Sequence, residues 1–360
     1  MAETTVPTGL TVQQWDERYF TNYISQNWFK PFMGTGANKM IQVKEDLTKK
    51  PGDAVTYTLV NRLRGAAKGA GEALEGNEEE APLRSFLVRV REYAHATKFA
   101  KVEAQKTAIN MREAHKEILM DWNMELDRDN VIAALHSING TVYGSATETE
   151  KDAWLVDNAD RVLFGALKSN ASSNDHSTAL ATLDNTADKL TPDALSLMKR
   201  IAETANPKIK PIKQRGAIDK TNAYVVFAHP LLVRDLSLNA TFVQANREAR
   251  NRGSDNPLFT GADYQWDNLA IYTIEDYPTI SNGTINCGVA HLCGAQALAM
   301  AWAMRPETVE EDFDYKRKVG LAIKQWYKIE KMKFGTGSSD TSDLKDHGVV
   351  TGYFAAVADA

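Results

Sequence analysis

The chain has 360 residues, 43% of them hydrophobic, and 42 Lys and Arg against 47 Asp and Glu give a formal net charge of −5. That is an ordinary globular composition, enough for one sizeable core or two linked ones, with no overall bias toward nucleic acid or membrane. No window approaches the roughly eighteen apolar residues of a membrane span. The opening Met1-Ala-Glu-Thr-Thr-Val-Pro7 has neither the basic start nor the apolar stretch of a signal peptide, so a soluble protein made in the cytoplasm is expected. Two cysteines, Cys287 and Cys293, make no disulfide framework.

Residues 1–50 read as an extended arm with a short helix. Its rings, Trp15, Tyr19, Tyr23, Trp28 and Phe29, need burial that a terminal segment has little core to provide. The turn Lys49-Lys-Pro-Gly-Asp53 leads into a strand that ends at Leu63, with Val55, Tyr57, Leu59 and Leu63 on one face. A return strand is expected at Ser85–Tyr93, with Phe86, Val88 and Val90 on one face and Arg89 and Arg91 on the other. The intervening Gly65–Glu80 is too polar and glycine-rich to fold alone. A loop of that kind is unusual inside a compact domain, and an isolated hairpin is marginal in water. The arm makes sense if a neighbouring subunit supplies the surface it lies on. Arg64, Lys68, Glu72, Glu75, Glu78, Glu79 and Glu80 are then its contact residues, with the acidic tip docking on a basic patch. The alternative is a solvated loop.

From Val102 to Ser137 apolar residues recur at helical spacing without Gly or Pro, which predicts one helix about 50 Å long at about 1.5 Å per residue. Trp122 and Leu126 share its apolar face. Residues 140–190 read as loops around a short helix near Asp157–Leu167. Thr191-Pro192 starts a helix that ends before Pro207. Tyr224–Ala228 and Leu269–Ile274 read as strands, the first followed by a helix over Pro230–Leu238. Phe313–Phe334 carries Val319, Leu321, Ile323, Tyr327 and Ile329 in the alternation of paired strands, and Gly348–Phe354 is a last strand. There is no internal repeat.

Chemistry-bearing patterns are weak. Cys287, His291 and Cys293 lack a second ligand pair and fit no standard zinc spacing, so core thiols are the better reading. Gly34-Thr-Gly36 and Gly65–Gly71 lack the plan of a phosphate loop. His229-Pro230 and Asp346-His347 have no nucleophile elbow beside them. No catalytic residue, cofactor or metal is expected. Lys208, Lys210, Lys213 and Arg215, and Arg247, Arg250 and Arg252, read first as solvated faces or subunit contacts, and second as surfaces facing nucleic acid.

Several segments carry a resemblance by their joint order: Phe32-Met-Gly34, Lys50-Pro-Gly-Asp53, Leu74-Glu-Gly-Asn-Glu-Glu79 and Glu92-Tyr-Ala-His-Ala96, then Val226-Phe-Ala-His-Pro230 with Arg234-Asp-Leu236. Asn256-Pro-Leu-Phe-Thr-Gly261, Cys293-Gly-Ala-Gln-Ala297 and Asp346-His-Gly-Val-Val350 continue it. In that order the chain resembles the major capsid proteins of tailed phages, in the N-four-like podovirus branch with the Hong Kong 97 fold. The resemblance covers nearly the whole chain.

It implies an α+β Hong Kong 97 capsid fold. The expected parts are an N-terminal arm (1–50), an extended β-hairpin loop (51–96), and a peripheral domain with a long spine helix and connecting loops (97–189). An axial domain (190–300), peripheral return strands (301–340) and a C-terminal strand rejoining the axial domain (341–360) follow. It also implies a structural subunit, not an enzyme, that self-assembles as hexamers and pentamers into an icosahedral shell around double-stranded DNA held nonspecifically. The arm begins almost at Met1, so a separate scaffolding protein is expected, with a portal and decoration proteins as further partners and no membrane. Location would be the virion capsid, and the host cytoplasm during assembly. The alternatives are an encapsulin-like compartment shell and, in a different class, a cytoplasmic α/β enzyme.

Overall fold

A computed structural model describes residues 29–45, 52–60, 83–107, 109–212, 223–250, 263–337 and 339–357, with single positions at 47, 67, 69, 75 and 78. In chain order the early elements are β1 (Met33–Gly34), β2 (Ile41–Lys44), β3 (Ala54–Val60), β4 (Leu83–Arg89), β5 (Arg91–Ala100), α1 (Lys101–Lys106) and α2 (Met111–Leu135). The middle of the chain gives α3 (Glu148–Asp157), β6 (Val162–Phe164), α4 (His176–Ala181), α5 (Pro192–Thr204), β7 (Tyr224–Ala228), α6 (Pro230–Leu238) and α7 (Ala240–Arg250). The remainder gives β8 (Tyr264–Trp266), β9 (Leu269–Thr273), β10 (Thr279–Ser281), β11 (Asn286–Cys293), β12 (Leu298–Phe313), β13 (Lys318–Lys331), β14 (Lys333–Gly335), β15 (Leu344–Asp346) and β16 (Val349–Ala355).

The chain divides into two units. The described residues of the first are in Arg91–Asp129 and Ala303–Tyr327, and the second comprises Phe29–Val90, Asn130–Trp302 and Lys328–Ala360.

In the second unit the central strands are continuous apolar runs. All of β7 and β16, and β11 after its first residue, are buried, as strands covered on both faces must be. The sheet order is β6-β16-β11-β7-β9-β8, with β10 on β11. β16 pairs antiparallel with β11, from Cys287↔Ala355 to Cys293↔Val349, and parallel with β6. One face carries α5, whose Thr191 side chain accepts from the Ala194 N–H and whose Pro192 occupies the first turn. Ala194, Leu195, Met198, Ile201 and Ala202 of α5 join Val226, Leu232, Leu292 and Phe354 in the largest core. The other face buries Trp154, Phe164, Leu180, Cys287, Val289 and Tyr353.

Asp188 fixes the edge of that second core. Its carboxylate accepts from the backbone N–H groups of Ala166 and Asp184 and from the Asn170 amide, each at 3.1 Å. Gly165 beside it has φ +62, and a Cβ there would stand 1.9 Å from Asp188 Oδ1. Only glycine fits that turn.

In the first unit β5 pairs antiparallel with β13, from Lys318↔Ala100 to Tyr327↔Arg91. β12 lies on the other side of β13. Leu321 and Ile323 face Leu119 of α2, with Phe99 and Trp122 packed against them. Trp122 stacks on His95 at 4.7 Å between ring centroids, and His115 lies 5.1 Å from Phe99.

Three sequence expectations are corrected. The single helix over 102–137 is two helices. Thr107 is extended (φ −108, ψ 147), its hydroxyl accepts from the Ile109 N–H at 3.3 Å, and Asn110 Oδ1 accepts from the Glu113 N–H at 3.4 Å. Short polar side chains thus compete with the helix where no Gly or Pro marks the break. The return strand over Ser85–Tyr93 is also two strands. The Val90 N–H donates to the Asp53 carbonyl at 3.0 Å, and Arg91 starts a new ladder against Tyr327. Last, the helix near Asp157–Leu167 lies earlier, at α3. Thr147 and Glu150 close a capping box there, and β6 occupies Val162–Phe164.

Candidate assembly surfaces

The β3–β4 hairpin has two unlike faces. Its register sets Tyr57 against Phe86 and Val55 against Val88. These four side chains are 0–6% exposed and pack with Ala299, Ala301, Met332 and Phe334 of the same chain. The Tyr57 hydroxyl donates to the Met300 carbonyl at 2.7 Å, and Lys44 Nζ donates to the Thr56 carbonyl at 2.8 Å. Arg84 donates to the Gly337 carbonyl at 2.7 Å, and the Ser85 hydroxyl to Asp340 Oδ2 at 2.6 Å. That hydrogen bond holds the exposed Asp340 carboxyl below its ordinary range. The base of the hairpin is therefore seated on its own subunit, where the sequence reading expected a neighbouring subunit to supply the surface. Alternation leaves the opposite face free. Val60 is 65%, Leu83 62% and Leu87 48% exposed, with Val60 directly opposite Leu83.

Of the expected tip contacts, Glu75 and Glu78 are described and exposed. Arg64, Lys68, Glu72, Glu79 and Glu80 lie outside the described residues. Among the arm rings, Trp15, Tyr19 and Trp28 likewise lie outside them, and Phe29 is fully buried. Its ring lies 4.9 Å from Phe227 of the same chain, and Phe32 packs edge-on to Tyr272 at 5.3 Å. Nothing in the residue pattern of the arm marks Phe29 as part of the second unit's own core.

Lys208 and Lys210 are exposed on either side of buried Ile209. Arg247 and Arg250 belong to the last turn of α7, and Lys213 and Arg252 lie outside the described residues.

The first unit is exposed on the sheet face away from α2 and at the β12–β13 turn. Val309 is 37%, Trp326 43%, Phe313 47% and Tyr315 fully exposed. Asp314, Tyr315 and Lys316 all adopt positive φ, from 51 to 67. Three non-glycine residues in the left-handed region make a conformationally costly tip.

The Cys-His-Cys stretch is interior. Both thiols are free and buried, and burial raises Cys287 to about 11 and Cys293 further. The Tyr277 hydroxyl pairs with His291 Nδ1. Among the described residues, the one group with metal-ligand proximity is Glu148, Asp152 and Asp175. These acids already have local roles. Glu148 pairs with Lys151 at 3.5 Å, Asp152 accepts from the His176 N–H at 2.7 Å, and Asp175 caps α4.

Near Cys293 lies a buried ion pair. Lys331 Nζ and Asp346 Oδ2 are 2.7 Å apart with side chains 3% and 2% exposed. Trp154 Nε1 donates to the same oxygen at 3.1 Å, and Arg161 donates to the Asp346 carbonyl. Such a pair positions chain segments and offers no substrate access.

The family model for phage capsid protein matches residues 3–358. The chain belongs to that family. This capsid protein is 26% identical to the major capsid protein of Pseudomonas phage KPP25 over 95% of its own length and 94% of the relative's. Its fold superposes on the capsid of Cyanophage Pam1 with a TM-score of 0.85 at 27% identity, and on that of Ralstonia phage GP4 with 0.78 at 21%, each over the whole of both chains. It is a structural major capsid protein that associates with itself in a virion shell, and it is not an enzyme.

Proposed function

We propose that the protein is the repeating subunit of a Hong Kong 97-type icosahedral shell, arranged as hexamers and pentamers around double-stranded phage DNA. The supporting observation is the end-to-end likeness, over all of both chains, to a subunit described as part of the Cyanophage Pam1 capsid asymmetric unit. The finer placement in the N-four-like branch rests on the quoted motifs. In this reading the parts expected from the sequence, arm to C-terminal strand, tile the shell. The outer hairpin face at Val60, Leu83 and Leu87, the acidic tip and the arm rings Trp15, Tyr19 and Trp28 meet neighbouring copies, while Phe29 stays in its own subunit's core. Lys208, Lys210, Lys213, Arg247, Arg250 and Arg252 meet DNA or other subunits. A separate scaffolding protein, a portal and decoration proteins complete the particle, which assembles in the host cytoplasm.

Electron microscopy of the purified protein tests this. Round, uniform shells with five- and six-fold capsomers are expected, and a monodisperse small oligomer overturns it. Deleting residues 66–80 should leave a folded subunit that forms no stable shell. Normal, heat-stable shells from that deletion would remove the arm from the assembly account.

A further inference from the structure

Three imidazoles meet inside the second unit. His136 follows α2, His176 opens α4, and His291 lies on β11; they are 8%, 1% and 0% exposed. The His136 ring centroid is 4.3 Å from Tyr143, 5.7 Å from His291 and 6.4 Å from Tyr353. The His176 ring lies 5.4 Å from Tyr353, 5.6 Å from Phe164 and 5.7 Å from Tyr143. All three Nε2 atoms are buried without a hydrogen-bond partner in the protein.

We propose that His136, His176 and His291 form a proton-operated latch where the end of α2, α4, β11 and β16 converge. The latch holds this unit closed while the rings are neutral and opens it in acid.

The surrounding charges favour the neutral rings. From β13, Lys331 adds positive potential on His136 and His291, and its partner Asp346 on β15 is already committed to it. From α3, Lys151 opposes protonation of His136 and His176, and its Nζ sits 4.6 Å from the Tyr143 ring. Asp152 and Asp175 pull His176 the other way, and Glu148 Oε1 lies 3.9 Å from its Nδ1. Lys333 on β14 is committed to the Asn139 carbonyl. The remaining neighbours are neutral: Tyr143, Tyr277 and Tyr353, with their phenols pushed up by burial, and the raised thiols Cys287 and Cys293. Desolvation dominates at each ring. It takes His136 to about 3, His176 to about 4 and His291 well below the ordinary value.

In the unfolded chain these rings take up protons near pH 6.5. Their folded values are lower, so between the two the unfolded state binds more protons. The stability they contribute is fully present above about pH 6.5 and drains as the pH falls toward the folded values. Each ring then raises the unfolding constant by up to about tenfold per pH unit, and the three together by up to about a thousandfold. His347, held at about 4 by burial, and His229 add to the same slope. The carboxylates held low, Asp160, Asp175, Asp184, Asp340 and Glu150, act only at lower pH.

Urea unfolding of the full-length protein, followed by near-ultraviolet circular dichroism at steps from pH 7 to 5, tests the latch. The slope of log unfolding constant against pH should fall by two to three in His136→Phe/His176→Phe/His291→Asn, where Asn keeps an acceptor for Tyr277. An unchanged slope overturns the proposal. If that variant does not fold, deuterium exchange at the imidazole C2–H of the unaltered protein decides the question. Slow exchange with midpoints far below 6.5 at the three rings supports the latch, and ordinary midpoints overturn it.

Discussion

The central strands β7, β11 and β16 of one unit are buried on both faces, whereas the unit built on β5, β12 and β13 covers one face with a helix and leaves the other open. In the first case every residue of β16 is buried. In the second, β12 is exposed from Arg305 to Phe313, and β5 has no fully buried residue. Helix α2 also leaves Ile118 56% and Met120 46% exposed. A self-sufficient core tolerates isolation. A one-sided sheet with uncovered Trp326, Phe313 and Val309 is, under the proposed function, a surface for other copies of the chain to cover. Stability should therefore reside in one unit, and sensitivity to assembly in the other unit and on the outer face of the hairpin.

The largest effect should come from the buried ion pair. Asp346→Ala strands the Lys331 ammonium and removes the acceptor of Trp154 Nε1, at a cost of about 3–5 kcal/mol. That rivals the whole stability of many domains, so little soluble protein is expected. Replacing both partners, Lys331→Met with Asp346→Leu, should restore most of the urea midpoint, because no charge is left buried. A single variant that melts like the parent would mean that water reaches the pair.

Next comes Trp122→Ala in the open unit. The ring is only partly buried against Leu119, Leu321 and Ile323, so the cost should be about 2–3 kcal/mol, below the full range for a large core side chain. A soluble subunit with a lowered unfolding midpoint is the expected result. A loss as large as that of Asp346→Ala would erase the contrast between the units.

These contrasts were partly legible in the sequence. The apolar run at Tyr224–Ala228 and the segment Gly348–Phe354 were readable as strands, and Thr191-Pro192 as a helix start, but that both faces of those strands are covered came only with the structure. Alternation at Val55, Tyr57, Phe86 and Val88 marked the hairpin's inner face. It could not say which partner the inner face meets, because Ala299, Ala301, Met332 and Phe334 are far away in the chain. The break at Thr107–Asn110 was hidden because polar side chains made it without Gly or Pro. Thr147-x-x-Glu150 was a readable capping box that the polar composition of residues 140–190 obscured. The latch rings gave no signal at all, since three histidines spread from 136 to 291 meet only after the sheet forms.

A smaller effect on the subunit, but a visible one on the shell, is expected from Leu83→Ser with Leu87→Ser. Both side chains are already in water in the isolated chain, so the urea midpoint should move by no more than about 0.5 kcal/mol. Sedimentation should show fewer shells and more free subunits. Unchanged shells would show that the outer hairpin face stays exposed after assembly.

The smallest expected effect is at the acidic tip. Glu78 is exposed, and Glu79 and Glu80 follow it directly in sequence. Reversing Glu78, Glu79 and Glu80 to Lys adds six units of positive charge, because each exchange moves the charge by two. An exposed ion pair contributes only about 0–1 kcal/mol, so no change in subunit folding should be measurable. Repetition over every copy multiplies a small term, and salt screens it over about 10 Å at 0.1 M. The tip therefore predicts a signature rather than a size. Parent shells should lose stability as salt rises, and the reversed variant should start lower and gain or stay level. Identical salt profiles for the two would mean that the tip is a solvated loop, and the apolar outer face would then carry the hairpin's part in assembly alone.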